Sequence, residues 1–326
     1  MAIFNLADFE FVKVDVPSGY TQGQTHPSIE FIPSGFLGYN YWLGTTPYAN
    51  FNTNEENPCL YYANARPDGK PPVVFTPHVS NPIVPRQPFN PSTGYHPYNS
   101  DIELLFDVDK IIVLNRAVAA IDPLTNGTSQ IIYSVSVTSL SSVPEQELIL
   151  SNYEGGNASK FGVMSPALLK VNGKYRIYSP ASSGGSVNVK CYGLIIFESD
   201  TMTRNFKRLQ KGSIFGGNIE LWHIDVFTHG GKYYALVNGT DWSASGTTKP
   251  NKLYLAESSN GYDFFIYKKP LIEIESYRAS GYVDSNGLFV CYASLVSPEH
   301  KVYSVDGREI VLITKDFTTL LNELRI

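Results

Sequence analysis

Ile224-Asp225-Val226-Phe227-Thr228-His229-Gly230-Gly231-Lys232-Tyr233-Tyr234-Ala235-Leu236 reads as a β-hairpin. Apolar residues dominate both sides of Gly230-Gly231, and such a pair between two strand-like runs marks a tight turn, because both central residues need φ > 0. The unit recurs. Pro166-Ala167-Leu168-Leu169-Lys170-Val171 runs into Asn172-Gly173 and returns as Lys174-Tyr175-Arg176-Ile177-Tyr178. Gly281-Tyr282-Val283-Asp284 turns at Ser285-Asn286-Gly287 and returns as Leu288-Phe289-Val290-Cys291-Tyr292. Ile102–Phe106 and Ile111–Leu114 form a looser copy around Asp109-Lys110. A fifth, with a longer loop, joins Pro27–Ile32 to Tyr39–Thr45. A third strand follows each hairpin, as at Leu253–Glu257, Leu194–Glu198, Cys59–Ala63 and Ile310–Thr314.

With His26, Asp101, Ser165, His223 and Arg278 as starting marks, the units are spaced by 75, 64, 58 and 55 residues. Five units of three to four strands at that period predict an all-β fold, a single five-bladed β-propeller. The blades are expected at about 24–85, 98–153, 161–212, 219–272 and 277–320. An open ring would leave a sheet edge unpaired. The alternating segment within 4–16 is therefore expected to close the ring as the outer strand of the last blade. The tail 317–324 is expected to pack on the rim as a short helix or strand.

Composition agrees. The chain has 326 residues, 43% of them apolar and only 17% charged, with 22 Tyr, 26 Gly and 21 Pro. Helical bundles and coiled coils are richer in Ala, Glu, Lys and Leu, and a disordered chain is poorer in apolar residues. The net charge is −5 and basic runs are missing, which argues against a nucleic-acid partner. The sequence has no apolar run long enough to span a membrane, so membrane insertion is not expected. The first residues do not read as a secretory signal, so synthesis in a cytoplasm is expected. Cys59, Cys191 and Cys291 sit in apolar strand-like runs and read as buried, unpaired thiols. They form no zinc spacing, and neither cofactor nor metal is expected.

In a propeller the inner strands begin around one axis, so their first residues converge from all blades. Here these are His26-Pro27-Ser28, Asn99-Ser100-Asp101, Met164-Ser165-Pro166, Trp222-His223 and Tyr277-Arg278, a polar and aromatic set suited to sugar. His26 either contacts ligand or bonds neighbouring strand starts, and Asp101 either contacts ligand or ties backbone N–H groups between blades. Arg278 is either an anchor for an anionic ligand or a partner of Asp101 or Asp225. Trp222, His223, Trp242 in a polar loop, and Tyr95 and His96 in the irregular loop before the second unit complete the ligand-binding candidates. Glu56 reads as a cap or a bridge to a basic residue, and Trp42 as blade core. The remaining histidines (His78, His229 and His300) read as surface or turn residues.

This arrangement resembles the five-bladed glycoside hydrolases of families 43 and 32. That resemblance implies a carboxylate at the start of each of the first three blades, since glycoside cleavage takes a carboxylate and a carboxylic acid. The matching positions here hold His26, Asp101 and Ser165. Two of three expected carboxylates are missing, so no catalytic residue is assigned. A closer resemblance is to the propeller heads of phage receptor-binding and tail-fibre proteins. It rests on His26-Pro27-Ser28, Gly38-Tyr39-Asn40-Tyr41-Trp42, Thr46-Pro47-Tyr48, Glu56-Asn57-Pro58, Asn81-Pro82-Ile83 and Asn99-Ser100-Asp101. It implies a virion-tail protein that recognises a host-surface glycan, contacts other tail proteins and assembles as a homotrimer. The alternatives are a family 43-like glycoside hydrolase and a structural tail or baseplate adaptor that binds only protein.

Overall fold

A computed structural model describes residues 2–48, 52–87, 89, 91, 96–121, 128–143, 145–151, 164–182, 191–209, 212–216, 219–241, 251–296 and 308–326. Five sheets, four antiparallel and one with a parallel outer strand, surround one axis. The short strand β1 (Glu10–Phe11) precedes blade 1, which contains β2 (Gln24–Phe36), β3 (Tyr39–Pro47), β4 (Cys59–Ala63) and β5 (Thr76–Pro77). Blade 2 contains β6 (Tyr98–Asp107), β7 (Lys110–Ile121), β8 (Thr128–Val137) and β9 (Glu147–Ser151). Blade 3 contains β10 (Ala167–Val171), β11 (Lys174–Ser182), β12 (Cys191–Ser199) and β13 (Lys207–Arg208). Blade 4 is formed by β14 (Ser213–Phe215), β15 (Ile219–His229), β16 (Lys232–Asp241), β17 (Lys252–Ser258) and β18 (Asp263–Ile266). Its outermost strand β14 runs parallel to β18, unlike every other pairing in the sheets. Blade 5 contains β19 (Ser276–Val283), β20 (Leu288–Val296) and β21 (Arg308–Asp316), followed by helix α1 (Phe317–Arg325). The fold is the five-bladed propeller expected from the repeat.

Closure also follows the expectation, with a narrower strand. Glu10 and Phe11 pair with β21, opposite Leu312 and Val311, and Val12 N donates to the Ile310 carbonyl at 2.8 Å. The chain then crosses to blade 1, where Lys13 N donates to the Val73 carbonyl at 2.7 Å and Phe75 N to the Lys13 carbonyl at 3.2 Å. One short segment thus ties the last blade to the first. Arg66 adds an ion pair to Glu10 at 2.5 Å.

Five apolar clusters fill the seams between successive blades, one per seam. Trp42 is wholly buried between blades 1 and 2, as expected of blade core. Helix α1 inserts Phe317, Leu320 and Leu324 into the cluster of blades 4 and 5. Cys59 and Cys291 are buried free thiols. His78 departs from its surface reading: it is buried, with Nε2 3.0 Å from the Ser139 carbonyl.

The inner strands lie too far apart at the axis to share a ladder, so their N–H groups need side-chain acceptors. The structure supplies them two residues after the starting marks. Ser280 Oγ accepts from Ile29 N at 3.0 Å, Ser28 Oγ from Leu104 N at 2.8 Å, and an Asp225 carboxylate oxygen from Gly281 N at 2.9 Å. Glu103 accepts from Leu168 N, and one layer below Glu30 Oε1 accepts from Phe106 N at 3.1 Å. Each blade thereby latches onto the next, except from blade 3, where Ala167 holds the equivalent position.

Two predictions follow from these seams. Ser28→Ala leaves the buried Leu104 N–H without its acceptor and should destabilise the protein by ~1–3 kcal/mol in urea unfolding, with no change in the fold by circular dichroism. At the rim, Asp107 bonds Lys170 and Tyr175 across the seam of blades 2 and 3. Burial raises its pKa, but these two partners outweigh burial and hold it below the usual carboxylate value. The stability this contributes is present above about pH 4, the unfolded carboxyl value, and is lost as pH falls through the lowered folded value. Asp107→Asn should therefore cost ~1–2 kcal/mol at pH 7, and its unfolding curve should converge on that of the wild type below about pH 3.

Candidate functional site

The chain bulges where the inner strands start. The register of β2 against β3 shifts between Thr25 and Ser28, that of β6 against β7 between Ser100 and Glu103, that of β15 against β16 between Leu221 and His223, and that of β19 against β20 between Ser276 and Ala279. The residues released from the ladder include His26, Asp101, Trp222, Tyr277 and Arg278. A bulge re-aims side chains, and here it directs them to the axis. His26, Asp101 and Ser165 also have φ of 51°, 52° and 42°. Such left-handed conformations in residues other than glycine cost of order 1–3 kcal/mol each and cluster at functional sites.

The result is a buried cluster drawn from blades 1, 2, 3 and 4. His26 Nε2 and His223 Nδ1 each lie 3.3 Å from Asp101 Oδ1. Arg116 Nε is 2.9 Å from Asp101 Oδ2. Thr46 Oγ1 holds His26 Nδ1 at 2.7 Å, and Glu56 Oε1 is 3.6 Å from the same nitrogen. Ser165 Oγ lies 2.6 Å from His223 Nδ1. This is not a serine–histidine–aspartate relay. Ser165 and Asp101 approach the same ring nitrogen, whereas a relay needs them on opposite ones.

Charge states follow from burial. It drives the His26 imidazole well below its ordinary pKa and the His223 imidazole down to about 4, against the pull of Asp101. Burial alone would raise Asp101, but Arg116, His26 and His223 together hold it well below the usual carboxylate range. Glu56 goes the other way: burial first, then the nearby Asp101, push it up to about 8. At neutral pH the centre is an ionised carboxylate between two neutral imidazoles.

Those groups fit a divalent cation. Their ligating atoms all lie within 4.8 Å of one another. Tetrahedral donors about 2.1 Å from a shared ion sit about 3.4 Å apart; the two separations from Asp101 Oδ1 are 3.3 Å, and His223 Nδ1 also lies 2.6 Å from Ser165 Oγ. His26 Nε2, His223 Nε2 and both Asp101 oxygens are buried and make no hydrogen bond. Two imidazoles and one carboxylate, with further positions open, are the ligand set of catalytic first-row metal sites. The sequence expectation of no metal site rested on local spacing, and these ligands come from three separate blades.

The remaining candidates divide. Arg278 is wholly buried and pairs through Nη2 with Glu103 at 2.5 Å, a partner not foreseen; its Nη1 is 4.0 Å from Asp101 Oδ1. Trp222 is half-buried and meets His223 edge-on at 5.9 Å. His96 is exposed and packs edge-on against Phe89 at 5.2 Å. Tyr95 and Trp242 lie outside the described residues. Arg116 was not singled out from the sequence, Thr46 and Tyr48 entered only through the resemblance, and Tyr277 only as a strand start; Tyr277 packs on His26 at 5.1 Å and on His223 at 4.6 Å. A cavity of about 310 Å³ opens at the other end of the axis beside Glu30, Glu103 and Asp225. Those three carboxyls already serve as the latches between blades.

No protein-family model matches the chain, and no curated protein matches it. Solved structures do. An N-acetylgalactosamine deacetylase from F. plautii, in complex with blood group B trisaccharide, superposes with a TM-score of 0.70 at 15% identity, over 97% of this chain and 95% of that one. The β-xylosidase RS223 gives 0.60 at 10% identity over 95% of both chains. A family 43 glycoside hydrolase (GH43_1) from Xanthomonas citri gives 0.57 at 11% identity, over 90% and 88%. At these identities the likeness defines the fold: this chain is a five-bladed propeller of the architecture used by family 43 glycoside hydrolases.

Breaking the Arg116–Asp101 pair leaves a buried charge without its main partner. Arg116→Met should cost ~3–5 kcal/mol in urea unfolding, and adding Asp101→Asn should recover a substantial part of it.

Proposed function

We propose that this chain is a carbohydrate-active hydrolase whose axial pocket removes an acyl group from an acylated amino sugar with a divalent cation held by His26, Asp101 and His223. The observation that carries this reading is the convergence of two neutral imidazoles and one carboxylate, all buried, with His26 Nε2, His223 Nε2 and both Asp101 oxygens making no hydrogen bond. The shared fold supports it, since the structural neighbours named above are enzymes acting on carbohydrate, one of them a deacetylase. The same likeness favours a hydrolase over a virion receptor-binding head. A host-glycan ligand, tail location and trimeric assembly would use the same pocket, but they draw support only from the sequence resemblance.

A cation at such a site polarises a carbonyl and lowers the pKa of water. Thr46 and the bulge in β2 fix the His26 ring, and Arg116 fixes the Asp101 carboxylate. Glu56 is the proton carrier. Burial and the Asp101 charge push its pKa up to about 8, and it loses that proton once the Asp101 charge is offset by a bound cation; the carboxylate then takes a proton from the attacking water as the new C–O bond forms. It then gives that proton to the amine nitrogen as the C–N bond breaks, releasing the carboxylate product and the free amino sugar. Trp222 and Tyr277 supply apolar faces for the sugar ring.

A second reading is favoured by one observation. Glu56 and Asp101 have carboxyl pKa values displaced in opposite directions, the pattern of an acid and a base in one site. They would then cleave a glycosidic bond in the manner of family 43.

One assay separates the readings. With zinc-loaded protein and N-acetylhexosamine oligosaccharides, deacylation predicts acetate release. That release should be lost on chelation and in His26→Ala and His223→Ala, and should be slowed ~10²–10⁴-fold in Glu56→Gln, which still binds zinc by calorimetry. Sugar release from aryl xylosides or arabinosides that is indifferent to chelator and lost in Asp101→Asn would establish the second reading instead. Turnover of neither substrate, together with labelling of intact host cells that free sugar displaces, would return the protein to the receptor-binding class.

A further inference from the structure

We infer that the Asn99 carboxamide is the positioning hub of the axial site, holding the proton carrier Glu56, the strand start at Asp101 and the Arg116 side chain in one frame. This rests on the reading of that site as a hydrolase and adds a residue that acts through its neighbours.

Asn99 lies at the start of β6 and is wholly buried. Its Nδ2 donates to Asn57 Oδ1 at 3.0 Å and to the Pro85 carbonyl at 2.9 Å. Its Oδ1 accepts from Gln87 Nε2 at 2.9 Å and from Asn115 Nδ2 at 3.3 Å. A side-chain amide has two N–H groups and two acceptor lone pairs, so its capacity is filled. Turning it over would set donor against donor and acceptor against acceptor at every one of these contacts. The amides continue outward. Asn57 Nδ2 donates to the Asn54 carbonyl at 2.9 Å and to Tyr20 Oη at 3.1 Å, and Gln146 Nε2 donates to Asn115 Oδ1 at 2.9 Å. A buried polar network satisfied to this degree is rigid.

Each buried asparagine stands beside a site residue in the chain. Asn57 follows Glu56, Asn115 precedes Arg116, and Asn99 precedes Ser100 and Asp101. Ser100 is paired with Arg116 across β6 and β7, and Asn99 with Ala117, so the bond from Asn115 to Asn99 is a diagonal on one face of that ladder. Consecutive side chains of a strand project to opposite faces, so an amide fixed on one face fixes the backbone from which its neighbour reaches the other. Glu56 needs such a frame. Its contacts within the site are long, Oε1 lying 3.3 Å from Ser100 Oγ and 3.6 Å from His26 Nδ1. The bond between Asn99 and Asn57 ties the loop that carries it to the strand start that carries Asp101. With its bonds spent on this frame, the Asn99 amide has none left for a sugar.

The test sets Asn99→Ala, Asn57→Ala and Asp107→Asn beside the wild type. It measures the imidazole resonances of His26 and His223 in metal-free protein by NMR, zinc affinity by isothermal titration calorimetry, and kcat and KM for acetate release. In Asn99→Ala the imidazole signals should move, zinc affinity should fall ~10–100-fold, and kcat should fall by a similar factor at unchanged KM. Asn57→Ala should lower kcat in the same way, and the double variant should lose less than the product of the two single losses. Asp107→Asn, at the other end of β6, should leave the imidazole signals, zinc affinity and kcat at their wild-type values. An Asn99→Ala protein that unfolds more easily but keeps all three, or one that raises KM at unchanged kcat, overturns the inference. A wild type that binds no zinc and releases no acetate sinks the hydrolase reading instead, and the metal-free imidazole signals then decide by themselves whether Asn99 orders the cluster. If Asn99→Ala does not fold, Asn57→Ala carries the comparison.

Discussion

Five strands cannot converge on one axis and also hydrogen-bond to one another around it. Their splay leaves inward backbone N–H groups that need acceptors, and burial makes an unmade bond expensive. The chain resolves this with short polar side chains at one position of the inner strands. Ser28, Glu103, Asp225 and Ser280 each accept from the first N–H of the next blade beyond that layer. The rest of the molecule depends on these latches, because they set the height at which each blade meets the axis. Two residues upstream of each latch, one layer higher along the axis, is a side chain that must point into the same narrow space.

That upstream layer is where folding and function compete. A regular strand would place His26 and Asp101 in register with their neighbours. Bulges and left-handed backbone remove them from the ladder, at a cost of a few kcal/mol. The cluster they form is poor in internal hydrogen bonds, and its imidazoles are forced neutral by burial. Nothing in the stability of the propeller asks for this arrangement. Ala167 shows that a latch position can be apolar, so a polar, strained and under-bonded layer directly above the latches is best explained by what it binds.

The fold was legible because its determinants are local. Gly230-Gly231 and Asn172-Gly173 each announce a turn within a dozen residues, and their recurrence counts the blades. The strand-start residues were legible too, since propeller geometry brings His26, Asp101, Ser165, His223 and Arg278 together once the period is known. What they do there was not legible. His26, Asp101 and His223 are separated by 75 and 122 residues, so no ligand spacing marks them. Arg116 acquires its meaning only from the pairing of β7 with β6, and Glu56 only from a loop that folds back beside His26. The bulges, the parallel edge strand β14 and the pairing of Arg278 with Glu103 are products of packing, for which the local sequence carries no distinct signal.

The exchange of a carboxylate for an imidazole at a strand start changes the chemistry more than the shape. A pocket that cleaves glycosides must keep two carboxyl groups several ångströms apart on either side of the bond, one of them protonated. Replacing one such group with His26 and another with Ser165 removes charge from two walls, and His223 adds a second neutral donor beside the remaining Asp101. Each neutral imidazole carries one N–H, so at 3.3 Å it can turn either that N–H or a lone pair toward the Asp101 oxygen. In the lone-pair tautomers a divalent cation suits the same three atoms and joins Arg116 as a partner of Asp101. On the proposed reading, two residues at the axis separate cleavage between sugars from cleavage of a substituent on a sugar, while the latches below serve the fold in either case.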